Sequence, residues 1–278
     1  MSYRSILIIF LATLGLAING WGQNWDKIAF ISDREGILNV WIMNADGSDP
    51  VNLTKGRYCT SPAWSPDGMK IAYIDFADDD IWLMDADGSN QQPVTDDSVP
   101  KTMLSWSADG SRIYYDMLPT GNPRDGVETS VIALDGSNPI SVDWREAPHH
   151  RPKLSPDGTK EVFALRDDED QIDIYIRDTS EFEQEFNPLT ATPLTYRPDI
   201  DVNPTWSPDG MRIAFVSSPN RGDQFEIWVV DIDGSNLVEL TNGLGGNWPT
   251  WRPAPPAATS VEAQSWGQLK SLLSEGTR

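Results

Sequence analysis

The stretch "PAWSPDGMKIAYI", from Pro62 to Ile74, returns later in the same chain as "PTWSPDGMRIAFV", from Pro204 to Val216. In Ser-Pro-Asp-Gly, proline presets φ near −65°, aspartate suits the next turn position, and glycine accepts the positive φ that closes the turn. The apolar run that follows is typical of a short strand covered on both faces. The repeated stretch therefore predicts a tight reversal between two antiparallel strands.

The same motif occurs five times along the chain. Its tryptophan, or the residue that replaces it, stands at Trp64, Trp106, Leu154, Trp206 and Trp251, so that the copies are 42–52 residues apart. A short apolar run follows each of the first four copies, and a further run at 28–30 precedes them all. An Asp-Gly pair or its relic then marks a hairpin in each unit. A repeat of this length indicates stacked structural units.

Each unit reads as four antiparallel strands, which is the size of a propeller blade. Such a sheet has two apolar faces, and radial stacking lets each blade cover its neighbour. We therefore expect the tryptophan of the motif to pack between blades. Two packed sandwiches fit the even spacing of the repeats less well.

The repeats are out of phase with the ends of the chain. The first unit lacks its Trp-Ser-Pro-Asp-Gly strand, and the last unit, "NWPTWRPAP", has that strand alone. We predict an all-β fold, a single β-propeller of five four-stranded blades in which the first blade is closed by the strand near Trp248–Trp251. Six blades fit the count of repeats less well.

The pattern P-x-W-S-P-D-G-x-x-I-A-F … I-W-x-x-D-x-D-G-S-N … L-T resembles the WD-like repeats of the TolB family of β-propellers, over about residues 24–255. This resemblance implies the fold more strongly than it implies an activity. TolB carries an α/β domain before a six-bladed propeller. Here the pattern begins close to the N-terminal leader, so we expect this domain to be absent and its role in the Tol–Pal envelope machinery not to carry over.

Both ends of the chain differ from the repeats. Residues 1–20 have Arg4 as their only charge and an apolar run from Ile6 to Ile18, which predicts a secretory signal peptide; an uncleaved anchor is the alternative. We predict an exported protein, periplasmic or extracellular, with a propeller at residues 24–255 and no stable membrane span after leader removal. Residues 256–278 read as a linker and a short amphipathic C-terminal tail.

Composition excludes some partners. The 278 residues carry a formal net charge of −21 at pH 7, which argues against nucleic acid and against an anionic membrane surface, since both bind through basic patches. The single cysteine, Cys59, cannot form an internal disulfide, and we expect it to be a buried core residue.

The sequence contains little that indicates catalysis. There is no G-x-S-x-G motif, and the only histidines, His149 and His150, are neighbours that would rarely chelate one metal. We predict no catalytic residue, no metal site and no cofactor; calcium at the acidic loops 75–80 and 166–171 is the alternative. The alternative function is a glycan-binding or carbohydrate-active propeller, a glycosidase or lyase, with carboxylates at Asp96, Asp199 and Asp201.

The loops between blades, and those between the second and third strands, open on one rim of a propeller, and here they are the least repetitive part of the sequence. Loops on a rigid scaffold commonly carry function, and Arg and Tyr are typical interface anchors. The predicted partner-binding residues are Arg57, Tyr58, His149, His150, Arg151, Arg197, Asp199 and Arg221. We therefore predict a monomeric, non-enzymatic scaffold with a protein partner.

Overall fold

The computed structural model describes residues 26–120, 126–147, 153–167, 171–181, 191–218 and 224–254. These residues form twenty β-strands and two short 3₁₀ turns, at Trp144–Glu146 and Thr179–Glu181. The predicted all-β propeller fold is confirmed. The predicted signal peptide and the predicted C-terminal linker and tail lie outside the described residues.

The strands group by their pairing into five antiparallel units of four, which we number blades 1 to 5. Blade 1 contains β20 (Asn247–Trp251), β1 (Lys27–Ser32), β2 (Asn39–Asn44) and β3 (Val51–Asn52). Blade 2 contains β4 (Cys59–Trp64), β5 (Lys70–Asp75), β6 (Asp80–Asp85) and β7 (Gln92–Pro93). Blade 3 contains β8 (Lys101–Trp106), β9 (Arg112–Met117), β10 (Glu128–Ala133) and β11 (Ile140–Ser141).

Blade 4 contains β12 (Lys153–Leu154), β13 (Lys160–Arg166), β14 (Ile172–Asp178) and β15 (Thr192–Pro193). Blade 5 contains β16 (Ile200–Trp206), β17 (Arg212–Ser218), β18 (Glu226–Asp231) and β19 (Val238–Glu239). A single parallel bridge between Ile172 and Ile200 joins these two blades.

The last strand closes the first blade. β20 pairs antiparallel with β1, so that Ile28 lies opposite Trp251 and Ala29 lies opposite Thr250. The two ends of the propeller sequence thus share one sheet, as predicted from the phase of the repeats. This pairing also covers the inner edge of β1, which would otherwise present unpaired backbone groups.

Apolar side chains fill the space between neighbouring blades. Phe30 and Trp41 of blade 1 pack with Ile227 of blade 5, in one of four buried clusters. The cluster between blades 1 and 2 includes Cys59 and Tyr73, both fully buried. Burial raises the pKa of the Cys59 thiol to about 12, so the side chain is an uncharged core group, as predicted from the sequence.

The motif tryptophans also join blades through hydrogen bonds. In blades 2, 3 and 5 the indole N–H donates to the carbonyl that precedes the equivalent residue of the previous blade. The bonds run from Trp64 to Thr250 (3.2 Å), from Trp106 to Ala63 (3.0 Å) and from Trp206 to Lys153 (2.7 Å). The indole thus supplies both apolar area and a directional bond, which we call the tryptophan lock.

The Asp-Gly turns form a second contact between blades. Gly47 has φ +83°, and a Cβ built on it would lie 2.8 Å from the carbonyl oxygen of Leu240 in the preceding blade. A Cβ on Gly136 would lie 2.4 Å from the carbonyl oxygen of Val94. Glycine is therefore required at these turns both for its positive φ and because neighbouring backbone approaches closely.

The contact between blades 3 and 4 lacks these features. Leu154 stands at the position of the motif tryptophan and is 46% exposed, and Thr179 stands where other blades have the turn glycine. Buried apolar clusters join the other four pairs of neighbouring blades, and within the described ranges no such cluster joins blades 3 and 4. Sequence drift in blade 4 therefore coincides with the least interlocked contact of the ring.

Candidate functional site

Antiparallel pairing gives the ring two unlike ends. The Ser-Pro-Asp-Gly turns and the Asp-Gly turns lie at one end, which we call the turn rim. The loops between blades, and those between the second and third strands, lie at the other end, the loop rim. Four predicted partner-binding residues fall within the described ranges, Arg57, Tyr58, Arg197 and Asp199, and all lie in loops of the loop rim.

Short-range hydrogen bonds build the turn rim. In the first turn the Ser65 hydroxyl donates to Asp67 (2.6 Å), and so does the Met69 backbone N–H (3.0 Å). Equivalent hydrogen bonds in the next two turns lower the pKa of the exposed Asp109 and Asp157 carboxyls to about 2, and the bond from the serine hydroxyl is the largest cause in each. The carboxylates of these aspartates are therefore occupied by hydrogen bonds within their own turns.

Arg57 is held against blade 2 at the loop rim. Its Nε lies 2.9 Å from a carboxylate oxygen of Asp75, which is completely buried. Its guanidinium also stacks over the Trp82 ring, 3.8 Å from the ring centroid. About one third of the Arg57 side chain remains exposed (34%), so this residue combines a structural ion pair with a small accessible surface.

Two aromatic rings stand beside Arg57. The rings of Tyr58 and Phe76 pack with centroids 4.8 Å apart, and the Phe76 N–H donates to the Tyr58 carbonyl (2.8 Å). Both residues are nevertheless exposed, Tyr58 by 49% and Phe76 by 41%. Large aromatic rings that pack against each other and remain exposed to solvent are typical of interface anchors.

Blade 5 repeats the arginine arrangement of blade 2. Arg197 lies 3.2 Å from Asp201 and 3.3 Å from Asp199, and it donates to the Ser217 hydroxyl (3.0 Å). Its guanidinium covers the Trp228 ring at 4.3 Å. Asp199 and Asp201 therefore act as counter-ions of one arginine that lies between blades.

Burial changes the pKa of two carboxyls at this end of blades 4 and 5. Desolvation is the largest cause that raises the pKa of Asp201, and the neighbouring Asp199 adds to it. Desolvation also raises the pKa of Asp173, whose carboxylate accepts a hydrogen bond from the Thr195 hydroxyl (3.1 Å). The ionised forms of both groups are thus disfavoured in the folded protein.

Exposed apolar side chains concentrate on the loop rim. Its loops carry Ile37, Tyr58, Phe76, Val127, Tyr196, Phe225 and Leu244, all exposed. The turns of the turn rim carry Met69 and Met211, which are 53% and 57% exposed. This asymmetry distinguishes the two ends of the ring, since scattered exposed apolar residues would be expected equally at both.

The acidic loop 75–80 takes part in blade packing. Asp80 is buried, accepts the Thr95 hydroxyl (2.6 Å) and lies 3.3 Å from the buried ammonium of Lys101. Asp75 is paired with Arg57. Across the described ranges, no three His, Cys, Asp or Glu side chains are close enough together to hold a metal ion.

A cavity of about 510 Å³ lies where the five blades converge. Its wall includes Ala63 of blade 2, Met103 of blade 3, Phe163 of blade 4, Val202 of blade 5 and Trp248 of blade 1. Met103 and Trp248 adopt positive φ, as do Ser61 and Asn203 at the same repeat position. These residues bulge out of the inner strands, where the pairing register shifts.

One carboxylate lines the described part of this cavity wall. It belongs to Glu161, which is bound by Arg177 at 2.8 Å. Glycoside hydrolysis uses two carboxyl groups that flank the bond to be broken. The described part of the wall therefore lacks the pair of carboxyl groups that a glycosidase uses.

Comparison with known proteins places this architecture in a family. The sequence profile described as the TolB beta propeller domain matches residues 79–261, more than half of the chain. The chain belongs to the TolB β-propeller family. No helix among the described residues of this TolB-family propeller is both long and apolar enough to cross a membrane.

Individual relatives are distant and longer. An uncharacterized protein of Agrobacterium fabrum is 26% identical over 196 residues, which cover 69% of this chain and 64% of that protein. A TolB homolog of Chlorobium luteolum is 27% identical over 234 residues, 82% of this chain and 40% of that protein. A crystal structure of TolB from Acinetobacter baumannii aligns at 20% identity and a TM-score of 0.43, covering 82% of this chain and 67% of that one. The chain thus spans less than two thirds of the length of the Agrobacterium fabrum and Chlorobium luteolum proteins.

The structure locates half of the predicted partner-binding residues and does not test their role in binding. His149, His150, Arg151 and Arg221 lie outside the described residues. The structure adds three residues to the candidate site that the sequence analysis did not single out. They are Phe76, in the acidic loop 75–80, and Trp82 and Trp228, whose rings lie under Arg57 and Arg197. The recurring Ile-Trp of the third strands could have indicated these tryptophans, whereas no local signal shows that Phe76 packs against Tyr58.

Proposed function

We propose that this TolB-family propeller is an exported, non-enzymatic scaffold that binds a protein partner through its loop rim, in the periplasm or outside the cell. The observation that carries the proposal is the exposed aromatic pair Tyr58–Phe76, at the end of the ring where exposed apolar residues concentrate. Membership of the TolB β-propeller family supports a scaffold role. The apolar run from Ile6 to Ile18 in the sequence supports export.

The rigid base beneath the aromatic pair supports the same surface. Arg57 joins the loop of Tyr58 to the buried Asp75 and to Trp82, so the pair stands on an ordered support. A pre-organised anchor loses little conformational entropy when a partner binds. Exposed rings on such a support are the residues whose truncation most often weakens a protein complex.

Arg57 and Arg197 are poor choices for testing this surface. Each neutralises a buried carboxylate, Asp75 or Asp201, so alanine at either position would leave that charge without its counter-ion. Reduced binding by such variants would then reflect instability. Tyr58 and Phe76 can be truncated without removing an ion pair.

The test compares two double variants. Wild-type mature protein is cross-linked in its native envelope fraction to identify the partner, and binding of that purified partner is then measured by calorimetry. We expect Tyr58→Ala/Phe76→Ala to weaken binding at least tenfold, because hot-spot truncations commonly cost about 2 kcal/mol. The matched control, Met69→Ala/Met211→Ala, removes side chains of similar exposure from the turn rim and should leave affinity unchanged. Loss of binding in the control alone would place the site on the turn rim.

Export is tested separately. N-terminal sequencing of the native protein should give a start near residues 18–21, after the apolar run. A native protein that retains Met1 and fractionates with the cytoplasm would contradict export and leave the rim experiment unaffected.

A further inference from the structure

The wall of the central cavity includes a lysine that is not part of the proposed loop-rim surface. Lys153 lines the cavity from β12, next to Leu154. The equivalent position, one residue before the motif tryptophan, holds Ala63, Thr205 and Thr250 in the other blades that line the cavity there. One blade therefore projects a long cationic side chain into a space that its neighbours leave open.

The Lys153 ammonium has no counter-ion among the described residues. Three other described lysines at strand starts are paired with carboxylates: Lys70 with Asp85, Lys160 with Asp178, and Lys101 with Asp80 and Asp97. Lys27, at the start of β1, donates to the side-chain oxygen of Asn44. Glu161, the carboxylate in the described cavity wall, is already bound by Arg177. The backbone carbonyl of Lys153 accepts a hydrogen bond from the Trp206 indole N–H, so this contact between blades involves the main chain of Lys153 and not its amine.

Lys153 is exposed to solvent where it lines the cavity, yet the protein around it still lowers the pKa of its ammonium by desolvation, without a carboxylate to offset this effect. A partly desolvated cation without a partner is a costly group, and its charge is stabilised when an anion binds beside it.

The rest of the wall limits the ligand. Met103, Phe163 and Trp248 are apolar, as are the prolines at 62, 204 and 249. A cavity of about 510 Å³ is within the size range of small-ligand sites. A lone ammonium matches a single negative charge, whereas a phosphate dianion would require further donors.

We propose that the central cavity binds a small ligand with one carboxylate and an apolar body, and that Lys153 is the counter-ion of this carboxylate. The apolar body packs against Met103, Phe163 and Trp248. The carboxylate is supplied by a free organic acid or by the C-terminus of a peptide chain. This site is distinct from the loop rim, and either can exist without the other.

The test uses acid and amide pairs as probes. N-acetyl-leucine and the peptide Ala-Ala-Ala-Leu represent the two sources, and their C-terminal carboxamides are the uncharged controls. Dissociation constants are measured by calorimetry on the mature protein, and protection of Lys153 from reductive methylation is measured by mass spectrometry. We expect each acid to bind at least tenfold more tightly than its amide and to protect Lys153. Tighter binding of the peptide than of the free acid would indicate a chain terminus as the natural ligand.

Variants assign the effect to the amine. Lys153→Gln should bind acid and amide equally, and Lys153→Arg should keep most of the preference. Lys55→Gln, which removes an exposed lysine of the loop rim, should behave as wild type. Equal binding of acid and amide to wild type, a preference that survives in Lys153→Gln, or no binding of either acid at millimolar concentration would overturn the proposal. The wild-type comparison needs no variant to fold, and melting curves check the fold of each variant.

Discussion

The tryptophan lock makes a quantitative prediction about ring stability. Trp106 is 7% exposed, and its indole N–H donates to the Ala63 carbonyl at 3.0 Å. Trp106→Phe keeps an aromatic ring in the contact and removes the donor. A lost hydrogen bond costs about 1 kcal/mol, and the smaller ring leaves a gap that adds roughly 1 kcal/mol more.

Trp251 supplies the matched control for this substitution. It occupies the same repeat position and is 4% exposed, but its indole nitrogen is buried without a hydrogen-bond partner. Trp251→Phe should leave a similar gap and lose no hydrogen bond, so we expect it to be less destabilising than Trp106→Phe by about 1 kcal/mol.

Urea unfolding followed by tryptophan fluorescence measures both free energies. At this size, 1 kcal/mol also corresponds to a shift in Tm of about 2–4 °C, so calorimetry provides a second readout. Equal destabilisation by the two variants would show that the indole acts through its area alone, and the lock as a hydrogen-bonded contact would be refuted.

Three further predictions test the rims and the ring. Arg57→Ala should lower the free energy of unfolding by about 1–3 kcal/mol, because the buried Asp75 loses its cation; a change below 0.5 kcal/mol would mean that solvent already screens the pair. Asp173→Asn should remove a group whose folded-state pKa is raised, mainly by burial. Wild type should therefore gain stability relative to the variant as pH falls from 7 towards 4, and a constant difference in urea unfolding would contradict this. A chain ended at Gly243 loses β20 and should unfold well below the full mature chain in calorimetry, because β1 then has an open inner edge; equal melting temperatures would exclude closure by β20.

Local sequence was sufficient to predict the propeller. Ser-Pro-Asp-Gly encodes a turn by the φ preferences of its own residues, and the phase of the repeats predicted that the strand at Trp248–Trp251 would pair with 28–31. These features depend on short-range chemistry and on the order of the repeats, both of which a single sequence contains.

The details of the site depend on contacts between blades. Arg57 was predicted to bind a partner and Asp75 to belong to an acidic loop, because nothing in the sequence near either residue shows that the two side chains pair. The cavity position of Lys153 depends on the inner strands of all five blades. The packing of Phe76 against Tyr58 joins two loops at one end of blade 2, and the closeness of these loops follows only from strand pairing.

The most direct measurement of the central claim is a photo-crosslinking map of the bound partner. Benzoylphenylalanine is placed singly at Ile37, Phe76 and Leu244 on the loop rim and at Met69 and Met211 on the turn rim, all exposed positions. Each protein is irradiated with the partner present, and the covalent products are identified by mass spectrometry. A partner that docks on the loop rim should cross-link from Phe76 and its neighbours and not from the two methionine positions. Cross-links from Met69 or Met211, with none from the loop rim, would contradict the account.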